Sequence, residues 1–350
     1  MATLLYVHLG RTTFVKKDMD LLAESHDLIE YQFDSQSNLS ILKTFWNQLV
    51  FLLRKGRKAD LVIAQFAGYH SVLPGWWAKL LRVPFLIIAS GTESASYPSI
   101  SYGNFAKPAY AWVTRMSFRM ADHVAPVHRS LAASENHYYP HDGVKQGYGN
   151  LVPGLKVPST EISYGFDGEK WPYQQEKEAR SFLTVALIHN EVRYVLKGVD
   201  LIVRMGERFP DCNFYVVGMK YTPEIAVPDN VHLIAAVPHE ELARYFREKQ
   251  FYFQLSISEG HPNALCEAML CGAVPIVSAV TSMPETVGDS GFVLQQKDET
   301  QLAELIGTAL KADTETLGKK ARGRILERYP LNLRRKKLLD LVEELVEKNK

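Results

Sequence analysis

The chain has 350 residues, and this length favours two domains over one because single hydrophobic cores stop growing near about 250–300 residues. Hydrophobic residues make up 46% of the chain and charged residues 23%, as in a soluble globular protein. The formal net charge of +1 argues against a general attraction to nucleic acid, so we expect no nucleic-acid partner.

The predicted elements of the N-terminal part alternate between strand and helix. Apolar runs predict strands at residues 4–9, 28–33, 61–66 and 84–90, and a helical pattern over 15–25 separates the first two. Strands separated by helical patterns imply parallel β-α-β units. Residues 140–158 are rich in Gly and Pro and predict an irregular segment.

A second alternating series begins near residue 182. Strands are predicted at 182–188, 213–217, 231–235, 251–257 and 275–279, and helices at 198–209, 240–249 and 263–271. Turn residues at 164–168 place a boundary between the two series. We therefore predict an α/β protein of two Rossmann-like domains that face each other across a cleft, an N-terminal acceptor-side domain at 1–165 and a C-terminal domain at 166–330.

Cysteine use and hydropathy bear on the compartment. The three cysteines, Cys212, Cys266 and Cys271, form no C-x-x-C pair, which argues against a disulfide framework or a zinc site and for a reducing compartment. The sequence contains no run of 18 apolar residues, and its first ten residues are too short for a signal peptide. We expect a cytoplasmic protein.

One segment, SEGHPNALCEAMLCG at residues 258–272, predicts a ligand site. A strand leads into a Glu-Gly turn at Glu259, and a short helix begins at Asn263, its expected cap, and ends before Gly272. The free N–H groups at a helix start bind anions, and ligands of α/β sheets gather at the carboxyl ends of strands. The unit therefore predicts an anion site.

Two carboxylates, Glu259 and Glu267, flank this predicted anion site. An ionised carboxylate only accepts hydrogen bonds, so it repels a neighbouring phosphate. Hydroxyl groups of the same ligand that donate to the carboxylate can offset this repulsion. A ligand that carries both a phosphate and sugar hydroxyls satisfies both requirements. A nucleotide sugar is such a ligand.

The string S-x-E-G-x-P-N-A-L-x-E-A-M-x-x-G, with Glu259 and Glu267 as its two glutamates, resembles the E-x7-E motif of retaining GT-B glycosyltransferases of family 4. The resemblance covers nearly the whole chain, is strongest over residues 180–295 and is weaker before residue 165. It implies the GT-B fold, in which the last helix, within 331–350, returns to the N-terminal domain.

Two cations, Arg193 and Lys197, precede the predicted helix at 198–209. Arg offers a planar fork and Lys a point charge, and both suit a diphosphate at a helix N-terminus. By the resemblance they neutralise the diphosphate leaving group during catalysis. The loop over 189–196 looks longer than the usual pattern of the family.

The resemblance also assigns the donor contacts. It implies that Glu267 binds the ribose diol and that Glu259, a predicted catalytic residue, contacts the donor sugar. It places the base near the loop 236–239. His261 replaces a frequent aromatic residue and could contact the sugar or stack on the turn. The other donor-binding residues predicted on this basis are Gly10, Gly260, Asn263, Ala264 and Leu265.

The N-terminal domain is expected to hold the acceptor. Gly10 ends the first strand without a Cβ, so its loop can approach the diphosphate closely, and Arg11 could face a phosphate or form a structural salt bridge. His70 follows a strand and is a catalytic candidate, although a histidine there is often only a hydrogen-bonded loop residue. Glu93, after the next strand, could bind acceptor hydroxyls or be structural.

We expect neither a metal nor another cofactor. Asp18-Met19-Asp20 matches the D-x-D metal signature of the GT-A fold but lies in a predicted helix, where the two side chains do not converge. Arg193, Lys197 and the helix dipole can balance the diphosphate without a divalent ion.

Two segments without acidic residues, 35–59 and 94–121, mix lysines and arginines with aromatic and aliphatic side chains. Such basic amphipathic segments are compatible with an anionic membrane surface, through residues 41–58 and 105–119. Helices that pack on the domain sheet with solvated ends explain the pattern equally well. In the first case the enzyme is peripheral, at the inner face of the membrane, and its acceptor is lipid-linked.

The sequence thus predicts a metal-independent retaining glycosyltransferase. It would move a hexosyl unit from a nucleotide diphosphate sugar to a hydroxyl of a glycan or lipid-linked glycan, in cell-envelope polysaccharide or glycoconjugate synthesis. A UDP-sugar 2-epimerase and a non-catalytic nucleotide-sugar-binding scaffold are the alternatives. A dehydrogenase and a P-loop enzyme are disfavoured because no G-x-G-x-x-G follows a strand and no P-loop string occurs.

Overall fold

The computed structural model describes residues 1–34 and 38–349, and in the helix over 38–55 it describes the side chains from residue 42 onward. The start of the predicted basic segment, residues 35–37, lies outside the described residues. Two parallel sheets, each packed against helices, form the framework. This confirms the prediction of two Rossmann-like domains.

The first sheet has five parallel strands in the order β2-β1-β3-β4-β5. Its central strands are buried on both faces, which is why they appear in the sequence as unbroken apolar runs such as LVIAQ and FLIIA rather than as alternating patterns. Leu5 of the first strand lies between Ile29 and Val62 of its two neighbours. The strands are β1 (Thr3–His8), β2 (Asp27–Gln32), β3 (Leu61–Gln65), β4 (Phe85–Ala89) and β5 (His123–Pro126).

Four helices connect these strands: α1 (Thr13–Ala23), α2 (Asn38–Lys55), α3 (Tyr69–Leu81) and α4 (Pro108–Met120). Leu52, Trp77 and Phe118, one from each of α2, α3 and α4, share a core with one face of the sheet. Helix α1 covers the opposite face. After β5 come a short antiparallel ribbon and a single helical turn, β6 (Ser134–Glu135), β7 (Lys145–Gln146) and α5 (Tyr148–Leu151).

The second sheet has six parallel strands in the order β10-β9-β8-β11-β12-β13. The strand order reverses between β8 and β11, so a crevice opens at the carboxyl ends of these two strands. The strands are β8 (Glu178–Ile188), β9 (Asn213–Met219), β10 (Val231–Ala235), β11 (Lys249–Gln254), β12 (Val274–Ser278) and β13 (Phe292–Leu294).

Eight helices complete the chain: α6 (Glu191–Leu196), α7 (Val199–Arg208), α8 (His239–Glu248), α9 (Asn263–Leu270), α10 (Met283–Val287), α11 (Glu299–Ala309), α12 (Thr314–Arg328) and α13 (Leu331–Glu347). The predicted long loop at 189–196 is wrong, because most of it is helix α6. Asn190 caps this helix by accepting a hydrogen bond from the Arg193 amide at 2.9 Å.

The last helix returns to the first domain, as predicted. Leu338 and Val342 of α13 join the core of the first sheet on the face that α1 covers. Arg334 is buried and donates two hydrogen bonds to the buried Asp18 of α1, at 2.7 and 2.5 Å. The chain passes between the domains where Phe166 pairs with Pro330. The residue-level domain boundaries remain a prediction.

The strand predicted at 251–257 ends earlier, at Gln254. Residues 255–257 continue as a buried segment that the first domain engages through side chains. Asn136 donates to the Ile257 carbonyl at 2.8 Å, and the Tyr138 hydroxyl donates to the Leu255 carbonyl at 3.2 Å. The two domains are therefore in direct contact next to the crevice.

Candidate functional site

The crevice at the carboxyl ends of β8 and β11 gathers most of the predicted site residues. A cavity of about 350 Å³ there is lined by Arg193, Lys197, Glu259, Asn263 and Ala264, among others. They come from four local structures: α6, the residue after it, the turn after β11, and the start of α9. Only the sheet topology brings them together.

Lys197 and Glu259 form an ion pair, with Nζ and Oε1 at 2.5 Å. Both side chains are mostly buried, at 17% and 13% exposure, so the pair is screened less than a surface one. The same Oε1 also accepts hydrogen bonds from Gln254 Nε2 at 2.8 Å and Ser256 Oγ at 2.7 Å. Three donors on one oxygen hold the carboxylate in place and leave Oε2 for a ligand.

The start of helix α9 forms one wall of this cavity. Pro262, not Asn263, occupies the cap position, and no side chain caps the helix, which corrects the prediction that Asn263 is the cap. The first N–H groups of a helix have no partner within it. Here they meet the cavity lined by Asn263 and Ala264, close to the ion pair. Gly272 follows the helix with φ +84°, the left-handed conformation that glycine adopts at a helix end.

A second cavity of about 300 Å³ adjoins the first and shares Asn263 and Ala264 with it. Its other walls are mainly apolar and include Leu187, a leucine that is 62% exposed. Glu267 and His239 lie at its polar edge. An apolar slot with a few convergent polar groups is the usual form of a small-molecule site.

Glu267 is only 4% exposed and faces positive charge. His239 Nε2, at the start of α8, lies 3.5 Å from Glu267 Oε1, and this hydrogen bond raises the pKa of His239. Burial lowers the pKa of Lys17 in α1, and the charge of Glu267 partly opposes that change. The carboxylate is therefore held between groups from both domains.

A third cavity, of about 160 Å³, lies in the first domain at the ends of β3 and β4. His70 and Glu93 form part of its wall. Burial lowers the pKa of His70 to about 4, and the ring donates from Nε2 to the Gln65 carbonyl at 2.8 Å. Burial raises the pKa of Glu93 to about 7, although the Ser90 and Gly91 amides donate to it at 2.6 and 3.1 Å.

Phe66, which lines this third cavity, has an unusual backbone conformation. Phe66, directly after β3, has φ +67°, in the left-handed region that non-glycine residues rarely adopt. Such conformations cost about 1–3 kcal/mol and persist where the surrounding structure imposes them, often at functional sites. The ring of Phe66 contacts Phe14 of α1 edge to face, at 6.1 Å between centroids.

Gly260 is a point of close backbone contact between the two domains. A Cβ at this position would lie 1.9 Å from the Ser90 carbonyl oxygen at the end of β4. The turn after β11 and the end of β4 therefore meet backbone to backbone, which only glycine permits. The crevice is closed against the first domain at this point.

Like Gly260, three other predicted donor-binding residues line neither of the two crevice cavities. His261 is 3% exposed, stacks on Tyr164 and contacts the tilted ring of Tyr329, and burial lowers its pKa to about 3. It therefore packs among aromatic rings and lines neither crevice cavity. Leu265 is fully buried in the core of the second domain. Gly10 lines neither crevice cavity, and no atom lies within 4 Å of its hypothetical Cβ.

Two further alternatives are decided by contacts. Arg11 donates to Glu30 at 2.6 Å, which is the structural salt bridge that the sequence left open. Asp18 is paired with Arg334, so the D-x-D string is part of the fold. Within residues 1–34 and 38–349, no group of three or more His, Cys, Asp or Glu is arranged to hold a metal ion. In the same part of the chain, no helix has the length and apolarity needed to cross a membrane.

Sequence reasoning missed the residues that support the carboxylates. Gln254 and Ser256 hold Glu259, and His239 contacts Glu267, although the loop ending at His239 was expected near the base. The sequence contains a signal for the first pair, because Gln254 at the end of β11 and Ser256 just after it interrupt the apolar run 251–257 at alternate positions.

The two sheets, the crevice at the carboxyl ends of β8 and β11, and the returning helix α13 define the class of architecture, a pair of facing Rossmann-like domains. Comparisons with known proteins are consistent with this. Residues 179–312 match the family model described as glycosyl transferases group 1. Residues 32–135 match the model described as glycosyl transferase 4-like domain.

Curated relatives share short segments with the chain. The O-antigen chain mannosyltransferase B of Escherichia coli is 32% identical over 84 residues, which are 24% of this chain and 22% of that protein. The D-inositol 3-phosphate glycosyltransferase of Mycolicibacterium gilvum is 27% identical over 141 residues, 36% of this chain and 32% of that protein. The matches thus span a third or less of these relatives.

Solved structures share the whole fold. Sucrose-phosphate synthase from Thermosynechococcus elongatus superposes with a TM-score of 0.74 at 16% identity, over 99% of this chain and 100% of that one. Anabaena HepE in complex with UDP-glucose gives 0.73 at 11% identity, over 98% and 100%. The chain therefore has the GT-B fold, and each of its two domains matches a glycosyltransferase family model.

Proposed function

We propose that this chain is a retaining glycosyltransferase of family 4 that moves a hexosyl unit from a nucleotide diphosphate sugar to an acceptor hydroxyl. One observation carries the proposal. Two adjoining cavities at the strand-order reversal join the Lys197–Glu259 pair, the free start of α9 and Glu267 into one continuous crevice. The motif that suggested the function and the cavities of the fold coincide.

The donor fits the crevice in one direction. The base would enter the apolar cavity beside Leu187, and the ribose diol would bond to Glu267 at its edge. The diphosphate would lie at the start of α9, where unpaired N–H groups and the helix dipole favour negative charge. The sugar would then reach the Oε2 oxygen of Glu259.

Lys197 would act when the leaving group departs. In the ligand-free protein it is paired with Glu259, and an incoming diphosphate offers it a larger negative charge. Glu259 stays in position because Gln254 and Ser256 still hold it. Lys197, Arg193 and the dipole of α9 would stabilise the charge that develops on the diphosphate, the type of electrostatic effect that dominates such reactions. These groups supply that stabilisation without a divalent metal.

The acceptor hydroxyl would attack from the first domain, on the same face as the departing diphosphate, by analogy with the family. The cavity beside His70 and Glu93 is the corresponding acceptor site. The acceptor would be a glycan or a lipid-linked glycan, and the reaction would take place in the cytoplasm. An O-antigen mannosyltransferase among the relatives supports a role in cell-envelope polysaccharide or glycoconjugate synthesis.

The donor half of the proposal is tested by thermal shift against UDP, GDP, ADP and their sugar conjugates. At about 100 times Kd a ligand adds roughly 2.7 kcal/mol to the free energy of unfolding. We expect one nucleotide family to stabilise the wild-type protein. The stabilisation should be lost in Glu267→Ala and kept in the exposed control Glu304→Ala. The absence of any shift across the panel contradicts the proposal.

The transfer half needs the donor so identified and an acceptor extract. We expect nucleotide release to depend on the acceptor. The anomeric configuration of the product, determined by NMR, should be the same as that of the donor sugar. Interconversion of the donor sugar without an acceptor would indicate a 2-epimerase. Binding without turnover in any extract would indicate a scaffold.

A further inference from the structure

The first domain carries an exposed apolar surface that the crevice does not use. Helices α2, α3 and α4 lie side by side over one face of the first sheet. Each of them exposes a tryptophan: Trp46 at 65%, Trp76 at 65% and Trp112 at 62%. Tryptophan is the largest apolar side chain, so three exposed copies on one layer of helices is a substantial unfavourable contact with water.

The exposed residues follow helical spacing. On α2, Leu42, Trp46 and Leu53 are exposed while Leu52 is buried against the sheet, and on α3, Trp76 and Leu80 are exposed one turn apart. Helices α2 and α3 therefore each have a second apolar stripe on the side away from the core. We call the outward side of α2, α3 and α4 the docking face. Large exposed apolar surfaces of this kind mark interaction sites.

The docking face is positively charged, which favours a negatively charged partner. Helices α2, α3 and α4 carry six lysines and arginines and no aspartate or glutamate. Helices α1 and α13, on the opposite side of the same sheet, carry six of each sign. The net charge of the whole chain is only +1, so this asymmetry is local. Lys79 of α3 pairs with Asp122 at 2.6 Å, next to the end of α4. Exposed tryptophans and leucines among positive charges are typical of helices that lie in the interface of an anionic membrane.

The docking face also adjoins the acceptor-side cavity. Tyr110 of α4 is 43% exposed and contacts the ring of Tyr69 edge to face, at 5.8 Å between centroids. Tyr69 in turn lines the cavity that contains His70 and Glu93. The mouth of that cavity therefore lies at the margin of the docking face.

We propose that the docking face binds the surface of a bilayer containing anionic lipid, and that it presents the acceptor-side cavity to a lipid-borne acceptor. The surface includes α3, which lies outside the two basic segments predicted from the sequence at 41–58 and 105–119. The part about the acceptor rests on the proposed glycosyl transfer. The part about the membrane does not, and it is tested without donor or acceptor.

The experiment is co-sedimentation of the full chain with phosphatidylcholine vesicles, with and without phosphatidylglycerol. We expect binding only to the anionic vesicles, together with a blue shift of tryptophan fluorescence as the indole rings leave water. Trp76→Ser removes one of the three exposed tryptophans and should reduce the blue shift by about a third and weaken binding, whereas Leu326→Ser, at an exposed leucine in α12, should change neither. Thermal melts and the nucleotide shift check that each variant is folded.

Charge reversal gives a second, independent arm. Each cation near an anionic surface contributes about 1 kcal/mol, or about fivefold in the binding constant, so Lys43→Glu/Arg119→Glu should weaken binding by at least about 25-fold. The matched control is Lys336→Glu/Lys337→Glu on α13, which should bind as wild type because both positions lie on the opposite side of the domain.

Three results would overturn the proposal. Equal binding of both double variants would show that the charge of this face is irrelevant. Equally tight binding to duplex DNA, without a blue shift, would assign the face to a polyanion in solution. Self-association that Trp76→Ser removes, with no vesicle binding, would assign it to a second copy of the chain. If the nucleotide still raises the melting temperature in these cases, the donor site is intact. Failure of the membrane proposal is therefore distinguishable from failure of the proposed function.

Discussion

Gly260 offers the sharpest test of whether the two domains act together. A Cβ at this position would lie 1.9 Å from the Ser90 carbonyl oxygen, whereas an ordinary contact is about 3.4 Å. The substitution Gly260→Ala therefore requires the end of β4 and the turn after β11 to separate by about 1.5 Å. Gly260 does not adopt a positive φ, so alanine strains no backbone torsion, and the clash with the first domain is the main effect.

The expected consequence is a loss of turnover with retention of the donor site. A misplacement of about 1 Å between reacting groups can lower a rate by about 10²-fold, equivalent to about 2.7 kcal/mol in the activation free energy. Most donor-cavity residues belong to the second domain, so the Kd for the nucleotide should stay close to that of the wild type. Gly260→Ala should thus lower kcat by about two orders of magnitude and leave donor binding almost unchanged.

The assay is acceptor-dependent nucleotide release, with Kd measured by calorimetry on the same preparation. Gly307→Ala is the matched control, because no atom lies within 4 Å of a Cβ at that helical position. Its kcat should be unchanged, and its stability should rise by up to about 1 kcal/mol, since alanine favours helix over glycine. A wild-type kcat in Gly260→Ala would refute the requirement for this backbone contact.

Three further predictions concern single charges. Lys197→Ala should raise the activation free energy by about 2–4 kcal/mol, as for one lost electrostatic partner of a transition state, and wild-type nucleotide release would remove this lysine from the mechanism. The pKa of His239 is raised by its bond to Glu267, so this charge pair is complete below the ordinary histidine pKa and is lost as the pH rises through the raised pKa. His239 and the ribose diol would compete for the Glu267 carboxylate, so the nucleotide Kd measured by calorimetry should decrease as the pH rises in the wild type and be independent of pH in His239→Gln. A wild-type Kd that does not change with pH would contradict this competition. Arg334→Met should lower the free energy of unfolding in urea by about 3–5 kcal/mol because it leaves the buried Asp18 unpaired, and adding Asp18→Leu should recover part of that loss.

The sequence predicted the framework because strand and helix patterns are local. Apolar runs such as residues 61–66 and 84–90 are typical of the buried strands of a parallel sheet, and the observed strands lie within one or two residues of them. The segment 258–272 predicted both a turn and a helix for the same reason. The exact ends of elements were predicted less well. Pro262 is the cap where Asn263 was expected, and residues 189–196 contain helix α6 rather than an open loop.

The composition of the crevice could be predicted only in part. Glu259, Glu267, Lys197 and Arg193 belong to a recognisable string or loop, and all four line the crevice cavities. His261 belongs to the same string but packs against Tyr164 and Tyr329, because its environment depends on aromatic rings that come from distant parts of the chain.

What only the tertiary structure decided is which side chains face water and which face each other across the domains. Trp76 and Trp77 are adjacent in sequence and identical in hydropathy, yet Trp76 is 65% exposed and Trp77 is 7% exposed. Their positions differ by about 100° around α3, and the sheet lies on one side only. Likewise nothing near Gly260 in the sequence indicates that a carbonyl from residue 90 will lie against it. Local patterns determine elements, whereas burial and contact depend on elements that are distant in the chain and meet only when it folds.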